Sequence, residues 1–119
     1  MALRYHEAVL EELRAVPVRD RAAIRTALGY LAVLGPQLRG GHSSAVSQST
    51  LGLRELRPRS GRCAWRVLYR QVGPAMVVLA VVPEAQQDTV GFRHGVVRAE
   101  QRLSAWPRGE SDDRPFPEP

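Results

Sequence analysis

The alternation of apolar and polar positions divides the chain into a helical first third, a strand-rich middle and a helical end. Across residues 5–15, Tyr5, Val9 and Leu13 recur at helical spacing with Leu10 beside them, while Glu7, Glu11, Glu12 and Arg14 take the polar side. Pro17 closes this segment. Asp20 is the expected N-cap of a second helix, whose apolar stripe is Ile24, Ala27, Leu28, Leu31 and Leu34 and whose stop is Gly35-Pro36. Residues 36–50 are glycine- and serine-rich, offer little to pack, and read as a loop. Three strand patterns follow, at 51–57, 63–71 and 75–82, separated by turn residues at 58–61 and by Gly73-Pro74. Connections this short make an antiparallel meander. Residues 75–82 are apolar throughout, which places that strand centrally with at least one face covered.

Residues 89–105 carry a weaker helical pattern, with Val90, Val97 and Leu103 near one face and Gly91 and Gly95 counting against it. The expected fold is therefore α+β: an N-terminal helical hairpin packed on a small antiparallel sheet of three main strands, with a C-terminal helix. Residues 1–106 form one expected domain, and 107–119, rich in Pro, Asp and Glu, an expected disordered tail. The sequence contains no internal repeat.

Composition supports a single globular domain. Of 119 residues, 44% are hydrophobic, enough for a core. No apolar run approaches the roughly 20 residues of a membrane span, and the first residues lack the pattern of a secretory signal. The single cysteine, Cys63, excludes an internal disulfide, and the expected location is the cytoplasm.

Charge changes the picture more. The net charge is +5 and every basic side chain is arginine, which is always charged and forked to fit phosphate. Between Leu53 and Arg70 lie six arginines (Arg54, Arg57, Arg59, Arg62, Arg66, Arg70) against a single acid, Glu55. A positive window of this kind is what a nucleic-acid-facing patch needs.

Three segments in order carry a resemblance: Leu34-Gly35-Pro36-Gln37-Leu38-Arg39, then Gly52-Leu53-Arg54-Glu55-Leu56-Arg57, then Trp65-Arg66-Val67-Leu68-Tyr69-Arg70. Over roughly residues 20–82 the chain resembles the RelE/HigB-like toxins of toxin–antitoxin systems, in their phage-derived and actinobacterial branch. The resemblance implies a small antiparallel sheet under a helical hairpin. It implies a ribosome-dependent messenger-RNA endoribonuclease without cofactor, which blocks translation. It also implies a partner antitoxin with a helix-turn-helix DNA-binding domain. Where active members carry a basic cluster after the third strand, this chain has Pro83-Glu84-Ala85-Gln86-Gln87-Asp88.

RNA cleavage by the adjacent 2′-hydroxyl needs in-line positioning, neutralisation of phosphate charge and proton transfer. Arg66 matches the family's catalytic strand arginine and is the expected phosphate clamp; the alternative is a surface arginine paired to Glu55 on the neighbouring strand. Alternation puts Arg57 and Arg54 on opposite faces of their strand, and Arg57 is the preferred second catalytic residue. Arg59 and Arg62, on the turn, and Arg54, Arg70 and Arg93 are expected RNA contacts. His94 is the expected acid or base, because histidine is the residue type that titrates near neutrality. His42 reads as loop structure and His6 as helix surface. Tyr69 and Trp65 are expected to pack beneath the helices. The scattered His and Cys residues have no metal-site spacing, and there is no glycine-rich phosphate loop. Two other readings share this fold: a catalytically degenerate RNA- or antitoxin-binding module, and a ParE-like gyrase inhibitor.

Overall fold

The computed structural model describes residues 2–106. Along the chain lie β1 (Ala2–Tyr5), α1 (Val9–Arg14), α2 (Val18–Leu34), β2 (Ser43–Ala45), β3 (Arg54–Leu56), β4 (Trp65–Val72), β5 (Ala75–Pro83) and α3 (Thr89–Ser104). The five strands form one sheet in the order β1-β5-β4-β3-β2, with β1 parallel to β5 and every other pair antiparallel. The expected tail at 107–119 lies outside the described residues.

The apolar run of β5 is explained by burial on both faces. Met76, Val78 and Val81 join Ile24, Leu28 and Leu31 of α2 and Val9 and Leu13 of α1 in one core. Val77, Leu79, Ala80 and Val82 join Phe92, Val96, Ala99 and Leu103 of α3 in a second. Strict alternation would put Leu79 and Ala80 on opposite faces. A register shift at Leu68/Tyr69, where Leu68 pairs with Ala80 and Tyr69 with Val78, turns both toward α3.

Four expectations are corrected. The sheet has five strands and is mixed, not a three-stranded antiparallel meander. The first helix, expected over 5–15, is only Val9–Arg14, and the fold opens on a strand that includes Tyr5 and not on a helical hairpin; residues 2–5 are too few to show a period, and they become a strand because β5 offers them an open edge. The 36–50 segment contains β2, whose polar Ser43-Ser44-Ala45 gains order from pairing with Leu56, Glu55 and Arg54. Helix α2 begins after Pro17, not at Asp20; proline's fixed φ, here −55°, suits a helix entry, and Asp20 sits one turn inside. Gly35 ends α2 at φ +53°, as Gly-Pro there implies.

Helix α3 closes the second face. Asp88 caps it, its Oδ1 accepting from the Gly91 amide at 2.8 Å. The glycines that weaken its sequence pattern are packing residues: a Cβ added at Gly95 would run into Val82. The edge of β5 that β1 leaves unpaired is finished by side chains. Glu12 of α1 accepts from the Val81 amide at 3.0 Å and pairs with Arg102 of α3 at 2.8 Å, and Arg102 donates to the Leu79 carbonyl at 2.8 Å. Among the described residues, no helix is long and apolar enough to cross a membrane.

Two predictions follow from this packing. Gly95→Ala gains about 1 kcal/mol of helix propensity but overpacks α3 against Val82 at about 1–3 kcal/mol. The melting temperature should fall, and an unchanged or higher value would show that the helix moves freely. Tyr5, 6% exposed in the hairpin-side core, has its hydroxyl pushed up to about 12 by burial. The folded state then holds its proton more tightly than the unfolded chain. The associated stability is complete below about pH 10 and drains away as pH rises toward about 12. In urea melts over that window, Tyr5→Phe should lose less stability than the wild type.

Candidate nucleic-acid interface

A guanidinium inside a small domain must find a partner for every nitrogen, and Arg66 does so. It is 4% exposed. Its Nη1 donates to the carbonyls of Cys63 at 2.6 Å and Trp65 at 3.0 Å. Its Nη2 donates to Glu84 at 2.6 Å and to the Gly61 carbonyl at 3.4 Å, and its Nε pairs with Glu55 at 3.4 Å. Glu55 in turn accepts from Arg57 at 3.0 Å. The residue expected to clamp phosphate at the surface is thus placed inside, with Glu55 and Glu84 as its own counter-ions. Of the alternative, a surface arginine paired to Glu55, the pairing is present but the surface position is not: Arg66 is buried, and Glu84 is a second counter-ion.

Arg66 holds the turn that follows β3. In Pro58–Gly61, Arg59 (φ 55°), Ser60 (φ 54°) and Gly61 (φ 91°) are all left-handed. For the two non-glycine residues this costs about 1–2 kcal/mol each. The turn is tied at Gly61 and Cys63 by Arg66 and across its own backbone, Arg62 and Cys63 amides donating to the carbonyls of Arg59 and Pro58. Gly61 suits the left-handed angle, and the Arg57 guanidinium lies close against it, 2.7 Å from where a Cβ would stand. The result is a rigid turn presenting the exposed Arg59 and Arg62. Among the described residues no carboxylate pairs with either.

Between this turn and α2 lies a cleft of about 420 Å³, within the roughly 300–1,000 Å³ of small-molecule sites. Small residues of α2, Ala22, Ala23, Thr26 and Ala27, make the room. Leu38 and Leu56 form an apolar floor, and Arg57, Arg59 and Ser60 line the turn side. At the mouth, Tyr30 and His42 meet edge to face with centroids 6.0 Å apart. Strand β3 ends at Leu56, so Arg57 escapes the alternation and reaches the cleft from the strand's end.

The other expected residues are dispersed. Arg54 faces the hairpin side, donating to Ser43 at 3.0 Å, and Ser43 shares a short hydrogen bond with the buried Tyr69 hydroxyl. Arg70 lies against Gly52. Arg93 and His94 are exposed on α3, which covers the opposite face of the sheet from α2, so His94 is not brought to Arg57 or Arg59. The histidine that does join them is His42, together with Tyr30 and Ser60. No local sequence signal marks these, because the contact between residue 42 and the turn comes from β2 pairing with β3. Trp65 and Tyr69 pack under the hairpin as expected. The Cys63 thiol is buried against Asp20, and burial pushes its pKa up, which makes it a poor nucleophile. Among the described residues no group of His, Cys, Asp or Glu is arranged to hold a metal ion.

Replacing Arg66 by alanine strands two part-buried carboxylates and frees a strained turn. The expected cost is about 3–5 kcal/mol, as for other broken buried pairs. Thermal or urea unfolding measures it, and a variant as stable as the wild type would show that the network contributes nothing.

No protein-family model matches the sequence, and no curated protein does. Solved structures do match. A mutant of the Escherichia coli toxin RelE in the free state aligns with 86% of this chain and 96% of its own, at 16% identity and a TM-score of 0.59. The RelBE2 toxin–antitoxin complex from Mycobacterium tuberculosis matches at 22% identity and 0.52, covering 70% of this chain and 96% of that one. An archaeal RelE–RelB complex from Pyrococcus horikoshii matches at 19% and 0.51, covering 69% and 92%. What this chain shares with them is the fold.

Proposed function

We propose that this chain is the toxin of a toxin–antitoxin pair, a cytoplasmic endoribonuclease that cuts messenger RNA at the ribosome and is silenced by a helix-turn-helix antitoxin. The observation that carries the reading is the fold, shared with a free RelE toxin and with two toxin–antitoxin complexes. The arginine turn supports the RNA component. The network of Arg57, Glu55, Arg66 and Glu84 is balanced in charge, so the local positive field arises from Arg59 and Arg62. In this reading Arg59 and Arg62 meet the phosphate backbone and Arg57 neutralises the phosphate under attack. Arg66 is a positioning residue that fixes the turn and orients Glu55. His42, beside Arg57 in the cleft, is the better placed proton carrier than His94.

The full engagement of Arg66 by its own carboxylates favours a second reading, a RelE-fold binding module without chemistry. Expression of wild type and of an Arg59→Ala/Arg62→Ala double variant separates the two. These side chains are exposed, so the variant should melt within about 0.5 kcal/mol of the wild type. Growth arrest with new cuts in translated messages, both lost in the variant, establishes the ribonuclease. Folded wild-type protein that causes neither arrest nor cuts overturns it in favour of the module. Arg66→Ala does not serve here, because its loss of stability removes toxicity whether or not Arg66 acts on RNA.

A further inference from the structure

The cleft between α2 and the 58–61 turn has a composition that a backbone-contacting patch alone does not require. One wall is cationic and hydroxylic, with Arg57, Arg59 and Ser60; the floor is apolar, with Leu38 and Leu56; and an aromatic pair, Tyr30 and His42, stands at the mouth. Tyr30 is 51% exposed, so the part of its ring that His42 leaves uncovered is open to a base. Alanine and threonine on α2 keep the opposite wall flat and low. Together these are the two halves of nucleotide recognition: a fork for phosphate, and a flat apolar slot with an aromatic ring for the base.

We infer that this cleft holds one nucleotide of a single-stranded RNA, its base between Tyr30 and the small residues of α2, and its phosphate on Arg59 and Arg57. Charge selects the chemistry. Arg57 is already paired to Glu55, leaving Arg59 as the one uncompensated cation of the cleft among the described residues, which suits the single negative charge of a phosphodiester. The RNA then approaches on the hairpin side of the sheet, and the surface of α3 that carries Arg93 and His94 lies away from it. The inference rests on the reading of the chain as an RNA-acting protein for the source of the nucleotide, and on the cleft's own geometry for the site.

The test is a titration of the full chain, followed by backbone-amide NMR, with a nucleoside monophosphate, a short oligoribonucleotide and inorganic phosphate as separate probes. Thr26→Trp fills the slot from an exposed position without entering the core, and Tyr30→Ala removes the ring. Both variants are checked for an unchanged fold by their spectra. The expected result is that the oligoribonucleotide shifts the amides of Ala22, Thr26 and Tyr30 as well as those of the turn. Each variant should weaken binding by about tenfold, at the low end of what loss of base stacking costs. The same shifts with the monophosphate identify a free nucleotide as a sufficient source and also support the site. Shifts confined to residues 59–62 with every probe, unaffected by Thr26→Trp, overturn the inference and leave only a phosphate-binding turn. No binding of either nucleotide probe overturns it as well. Toxicity is read separately: a wild-type chain that neither arrests growth nor cuts message, yet binds nucleotide in the slot, fails the ribonuclease reading and keeps this one.

Discussion

A charged guanidinium buried in a domain of this size fixes everything around it. Arg66 enters from the start of β4, and its fork reaches the carboxylate of β3, the carboxylate that follows β5, and three carbonyls between Gly61 and Trp65. No single strand pairing joins those elements. A buried ion pair is poor evidence of net stabilisation, since desolvation offsets most of its attraction. Its effect here is geometric. Glu55 cannot turn outward, the turn cannot relax out of its left-handed backbone, and Arg57 is held against Gly61 at the edge of the cleft.

The rest of the architecture arranges two cores around β5. One strand cannot satisfy two faces by alternation alone once its partner strand shifts register, and the bulge beside Leu68 resolves this by giving α3 two consecutive side chains. The hairpin takes the other face and, because its cleft-side residues are small, stops short of filling the space above Leu56. The cleft is thus a consequence of the same packing that builds the core, a gap left where α2 meets a turn too rigid to collapse into it.

Much of the fold could be read from the chain, and the failures have a common cause. The stripe from Ile24 to Leu34, the unbroken run of β5 and the Gly-Pro stop are strong local patterns, and each gave its element. The strands at 2–5 and 43–45 carry no such pattern, since each exists by pairing with a neighbour distant in sequence. The arginine window was legible as charge, but the division of labour within it was not. Whether Arg66 faces solvent or Glu84 depends on a carboxylate 18 residues later, a separation no periodicity encodes. The same holds for His42 and Tyr30, which reach the turn only through tertiary structure.

The parallel strand at the start of the chain has a kinetic consequence. Ala2 pairs with Ala75 and Tyr5 with Val78, so β1 has no strand partner until β5 exists. Loop closure over that span must precede any reward from the contact, which makes β1 a late addition in folding and a slow one. The hairpin of β4 and β5, closed by a two-residue turn, needs only local loop closure, and its pairing brings Arg66 and Glu84 together. Assembly therefore runs outward from β4 and β5, and the 58–61 turn is organised before β1 is fastened.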